Sequence, residues 1–120
     1  MAVARMTGKQ LRALALSLPE AVEKPHMQRT SFRLRDKIFL TMSADETHAA
    51  LKIPSREYRY RLIAEQPDAF EDLGGWTRMG FVGIRLPRVE RALMHELVIA
   101  AWRRIAPKRA LAAYDARAPR

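Results

Sequence analysis

Between Gln28 and Ile53 the chain alternates apolar and polar residues in three short runs, Arg29–Leu34, Lys37–Met42 and Thr47–Ile53. A period of two is the mark of a strand with one dry and one wet face. Phe32, Leu34, Ile38, Leu40, Met42, Ala49, Leu51 and Ile53 fall on one side. Arg29, Ser31, Arg33, Lys37, Phe39, Thr41, His48, Ala50 and Lys52 fall on the other. The first set is uniformly apolar, so it is assigned inward. Arg35-Asp36 and Ser43–Glu46 are short connections, which makes the three strands an antiparallel meander. Phe81–Leu86 alternates again, with Val82, Ile84 and Leu86 inward and Phe81, Gly83 and Arg85 outward. It reads as a fourth strand of the same sheet.

Helical spacing occupies the rest. Thr7 with Gln10 forms a capping-box pattern ahead of the stripe Leu11, Leu14, Ala15 and Leu18, and Pro19 stops that helix near Ser17. Pro54 and Ser55 open a second helix, Arg56–Glu65, with a thin apolar face of Tyr58, Leu62 and Ile63. Arg56, Arg59 and Arg61 lie around the remainder. Arg88–Ile105 is the longest helix, with Val89, Leu93, Leu97 and Ala101 widened by Met94, Val98, Trp102 and Ile105. Pro107 to Arg120 is read as a basic tail with a short helix, Lys108–Ala116. Met1–Met6 is read as a loose arm, Pro19–Met27 as a linker and Pro67–Gly80 as irregular. The result is one α+β domain spanning the chain, in the order α-β-β-β-α-β-α. A four-stranded antiparallel sheet carries its helices on one face.

Composition adds a partner class. The 120 residues carry a formal net charge of +9, with Arg far outnumbering Lys and no Asn. Such an excess favours nucleic acid or another anionic partner, although the same bias arises from GC-rich coding. With no Cys, disulfides and thiolate chemistry are excluded. No run approaches the ~20 apolar residues of a membrane helix, and Met1–Thr7 is too short of apolar residues for a signal peptide. The expected compartment is the cytoplasm, with no membrane association.

Five phrases, "LRALALSLPEAVE", "SFRLRDKIFLTM", "ALKIP", "GFVGIRL" and "AAWRRIAPKRALAAYD", cover most of the chain from Thr7 to Asp115. As a set they resemble the MmcQ/YjbR family of small bacterial proteins. The resemblance implies a CyaY-like α+β fold and a double-wing DNA-binding motif, hence a DNA-binding role. Lys37 and Lys52 match family phrases. Where family members often carry Trp at the start of the last strand this chain has Phe81, with Trp76 five residues earlier.

The leading expectation is therefore nucleic-acid binding without catalysis, by the open sheet face and its wing turns. Arg29, Arg33, Lys37, Lys52 and Arg85 would meet phosphates, Arg35 would extend from a turn, and Phe39 and Phe81 would stack on bases. No cofactor or metal is expected: His26, His48 and His95 lack ligand spacing. The alternative is a protein-interaction module or homodimer, joining the acidic loop Asp68–Asp72 to the basic tail. An enzyme is the weakest reading; its candidates are Glu23 with His26, or His48 beside Lys52.

Overall fold

The computed structural model describes residues 3–117. The first two residues of the expected arm, and the last three of the expected tail, lie outside them. The order is α1 (Gly8–Ser17), β1 (Val22–His26), β2 (Arg29–Leu34), β3 (Lys37–Met42), β4 (His48–Lys52), α2 (Arg56–Glu65), β5 (Phe70–Glu71), α3 (Gly75–Arg78), β6 (Phe81–Arg85), α4 (Arg91–Ile105) and α5 (Lys108–Arg117). All strand pairs are antiparallel, in the spatial order β1-β2-β3-β4-β6-β5. The α+β class and the helix-covered face match the sequence pattern, but the sheet has six strands rather than four.

The two added strands have no alternation to betray them. β1 is an edge strand whose residues are exposed or half-buried, and it contains Pro25, which an edge tolerates. It pairs from Val22↔Arg33 to His26↔Arg29 across a turn in which Met27 is left-handed. β5 is only two residues long.

The β2–β3 ladder carries a bulge. Phe32 faces Leu40, but the next pair is Arg33 with Ile38, leaving Phe39 as the extra residue. Arg35 and Asp36 are both left-handed (φ 52° and 65°), as a two-residue type I′ hairpin requires, and that turn sets Leu34 opposite Lys37. Three expected positions change in consequence. Phe39 is 1% exposed and lies in the core, sharing a wall with Ala101 and Ile105 of α4. Ile38 moves to the open face with Arg33, and Lys37 leaves it to pair with Leu34.

The core lies between the aliphatic sheet face and the helices, with Leu11 and Leu14 of α1, Leu62 of α2, Met94, Val98 and Trp102 of α4, and Ala110 of α5. The α1 capping box forms both ways: Gln10 N–H donates to Thr7 Oγ1 and Thr7 N–H to Gln10 Oε1, each at 3.1 Å. The arm is not loose from Ala4 onward. Met6 is buried, its N–H donates to Val89 O, and Arg91 N–H donates to Ala4 O. Those contacts delay α4 to Arg91, three residues after the expected start. The tail is docked too: Trp102 packs on Tyr114 at 5.4 Å, and Arg109 makes two bonds to Glu20, at 2.7 and 2.8 Å.

Arg59 departs from its expected exposed position. It is 4% exposed, and its Nη1 donates to Ile53 O at 2.7 Å and Pro54 O at 3.0 Å, staking the β4–α2 corner that Ser55 caps. Arg59→Ala orphans both carbonyls. A loss of about 2–3 kcal/mol in denaturant unfolding is expected, with unchanged m-value.

The β3–β4 turn is tied by Asp45, whose carboxylate accepts from Ser43 Oγ, Thr47 Oγ1 and Thr47 N–H. Those bonds favour the charged form and pull its carboxyl down to about 2. A depressed folded-state value contributes stability that is whole above the ordinary value of 3.8 and disappears as pH falls towards 2. The Asp45→Asn variant is expected to show a shallower fall in melting temperature across that window than the parent chain.

Candidate nucleic-acid interface

Three rows of side chains cross the sheet face that the long helices leave open. The middle row is small. Ser31, Thr41, Ala50 and Gly83 stand in register across β2, β3, β4 and β6, and all four are buried. On one side run His26 with Arg29, and His48 with Arg85. On the other run Arg33 with Ile38, and Lys52 with Phe81. Long side chains from both outer rows lean inward over the small ones. Arg29 Nε donates to Thr41 Oγ1 at 3.3 Å, and Arg33 Nε donates to Ser31 Oγ at 2.9 Å. Arg33 is held a second time, its Nη2 donating to Pro25 O at 3.5 Å, whereas Arg29 is tethered by Nε alone, with its terminal nitrogens unbonded among the described residues. Partial burial pulls Arg29 below the usual guanidinium value, opposed by the nearby Asp45; an arginine remains charged regardless.

The remaining predicted cations are held differently. Arg85 is on the face but neutralised, its Nη2 donating to Glu71 Oε2 at 2.7 Å and its Nη1 to Pro67 O at 2.9 Å. Lys52 Nζ donates to Met79 O at 3.0 Å and lies 5.0 Å from the Phe81 ring centroid, a cation–π distance. Arg35 is exposed at the β2–β3 tip, where Lys24 engages its neighbour Asp36 at 3.1 Å. Of the eight residues singled out from the sequence, Arg29, Arg33, Lys52 and Phe81 gather on the open face with the paired Arg85. Arg35 extends beyond it, while Lys37 and Phe39 do not share it.

The segment read as irregular covers one end of this face. Gly74 is left-handed (φ 66°), and its N–H donates to Asp72 Oδ1 at 2.8 Å. Leu73 N–H donates to the buried Thr77 Oγ1 at 2.7 Å. Leu73 reaches the sheet because Gly83 has no side chain: a Cβ there would lie 2.8 Å from Leu73 Cδ2 and 2.6 Å from Glu71 Cγ. α3 consequently presents Trp76, 36% exposed, and is followed by Met79, 71% exposed. Trp76 packs beside Phe81 at 5.8 Å between centroids with the rings tilted by 47°. It also lines two shallow cavities. One of about 390 Å³ is walled by Arg29, His48, Ala49, Glu71 and Leu73; one of about 170 Å³ by His26, Ile38, Thr41, Met79 and Phe81. Trp76, Met79, Ile38 and His26 are the face residues that alternation alone did not find. Their one sequence signal was a Trp after two glycines.

The residues weighed for catalysis do not converge. Glu23 pairs opposite Phe32 and His26 opposite Arg29, which puts them on opposite sides of the sheet. Burial works against the Glu23 carboxylate, but Thr30 Oγ1 at 2.6 Å and Arg12 outweigh it and keep its carboxyl below the usual range. His48 bonds Thr47 Oγ1 through Nδ1 at 2.8 Å and stands about 13 Å along the strand from Lys52.

These features define a class: a single antiparallel sheet with its long helices packed on one side and, on the other, a shallow, cationic and aromatic floor edged by the one-turn helix α3. The family model described as YjbR matches residues 16–104, and the chain belongs to the YjbR family. A solved structure, the Deinococcus radiodurans protein DR2400 with its family-model domain DUF419, is similar in fold. It has a TM-score of 0.74 and 18% identity, covering 87% of this chain and 81% of that one. No curated protein sequence matches.

The exchange of Phe39 and Ile38 separates folding from surface chemistry. Phe39→Ala is expected to cost about 3–5 kcal/mol of stability, as for other buried aromatic truncations. Phe81→Ala, at a half-buried surface position, is expected to cost less than half as much. Chemical unfolding of the two variants measures the difference.

Proposed function

We propose that the chain binds nucleic acid, with DNA as the favoured form, through its open sheet face and without transforming it. The carrying observation is the meeting of Arg29, Arg33 and Lys52 with Trp76 and Phe81 on one surface of a chain with net charge +9. Cations supply phosphate affinity through counterion release, and aromatic faces supply stacking energy that no salt concentration screens. Arg35 at the hairpin tip adds a contact beyond the sheet edge, as a wing would. The family's resemblance to double-wing DNA-binding proteins supports DNA over RNA. Charge and stacking account for this reading without a nucleophile or a general base. A second reading, association with another protein or another copy of this chain, is favoured by Met27 at 87% exposure and Met79 beside Trp76.

Three phosphates neutralised on a single strand correspond to a log–log salt slope of about −2, so fourfold more salt weakens binding about twentyfold. Fluorescence anisotropy of a labelled oligonucleotide is expected to show that slope, and Arg33→Ala is expected to flatten it by about 0.7. Salt-insensitive binding, or none at low salt, overturns the proposal.

A further inference from the structure

The position of Trp76 narrows the ligand further. Resting on the nucleic-acid reading above, we infer that this face selects single-stranded over double-stranded nucleic acid, by seating an unpaired base against Trp76 in the larger cavity. Stacking on an aromatic ring needs the flat face of a base. In a duplex those faces are occupied by neighbouring base pairs, and only edges and phosphates are offered. Trp76 does not stand as an isolated knob on a flat surface. It is the shared wall of two cavities whose floor includes the strand residues Ala49 and Thr41. A base has to leave a helical stack to enter either one.

The larger cavity also has the polar groups such a base requires. Arg29 brings guanidinium nitrogens that lack partners among the described residues, next to the cavity's Trp76 wall. Glu71 commits Oε2 to Arg85 and leaves Oε1 unbonded among those residues. A donor set and an acceptor in one cavity suit the mixed donor–acceptor edge of an unpaired base, while Arg29 and Arg33 remain within the same face for the adjoining phosphates. The smaller cavity, with Ile38, Met79 and Phe81, is the apolar side of the same wall. Opposing duplex recognition, the one helix on this face among the described residues is α3, four residues long. It is too short to lie along a major groove as a recognition helix does.

Full-length protein titrated at low salt with a labelled mixed-sequence single strand, and with the duplex of the same length, tests the inference. The single strand is expected to bind about tenfold or more tightly than the duplex. Trp76→Ala is expected to weaken single-strand binding about fivefold or more, the range of one lost base–aromatic stack, and to leave duplex binding within about twofold. Trp76→Phe retains a stacking surface and is expected to restore most of the difference. Quenching of tryptophan emission gives a readout in the unaltered protein: Trp102 is fully buried, so the quenchable signal belongs to Trp76 and is lost in Trp76→Phe. Equal affinity for strand and duplex, tighter duplex binding, or an unaffected Trp76→Ala overturns this inference while salt-dependent binding leaves the broader reading intact. Failure of both oligonucleotides to bind at low salt overturns both.

Discussion

The make-up of the open face at its hairpin end depends on one extra residue in β3. The tight Arg35-Asp36 turn demands that Leu34 oppose Lys37 and Arg33 oppose Ile38. The core demands another register, in which Phe32, Leu40, Leu51 and Val82 align across four strands beneath the helices. The two registers differ by one residue, and a regular ladder cannot satisfy both. Phe39 absorbs the difference. Its ring goes to the core beside α4, and every residue between it and the turn is placed on the opposite side from the one alternation assigns. The bulge is thereby the reason that Ile38, and not an aromatic, stands beside Phe81.

The small middle row is the second constraint. Ser31, Thr41, Ala50 and Gly83 leave a trough that long side chains can cross. The physical consequence is that Arg29 and Arg33 lie along the sheet, Arg29 fixed by one hydroxyl and Arg33 by a hydroxyl and the Pro25 carbonyl, rather than waving in solvent. Fixing a guanidinium before binding lowers the entropy lost when it meets a phosphate. Gly83 extends the same trough to the sheet's far end and admits Leu73, which brings α3 and Trp76 down on to the face. The trough, the lie of the two arginines across it and the seat of the ring therefore follow from side-chain size along one row. They are not independent decorations.

Much of this is legible in the sequence. The alternation of β2, β4 and β6, the Thr7–Gln10 cap, the bounds of α2 and the start of α5 follow from local pattern, and the family phrases point to the right family. The rest was not local. β1 is polar because both its faces and one edge meet solvent, so it has no period to read. The inward turn of Phe39 depends on a register conflict between two strands that no single strand reveals. Arg59 looks like a solvated helix residue until the carbonyls of Ile53 and Pro54 are placed beside it. The anchoring of Ala4–Met6 rests on Val89 and Arg91, which lie more than eighty residues away. Trp76 sits in a segment without periodicity, and its place on the face is set by a missing side chain at Gly83.

The central claim is that the trough and its Trp76 wall form the contact surface, rather than the groove that Tyr58 of α2 lines with Leu97 and Ala100 of α4, or the basic α5. NMR mapping tests it most directly, with backbone amide and indole shifts followed as a single-stranded oligonucleotide is added. The account predicts that the largest changes fall on the Trp76 indole and on the amides of Arg29, Thr41, Ala50 and Phe81. Largest changes at Tyr58, Leu97 and Ala100, or along α5, would contradict it.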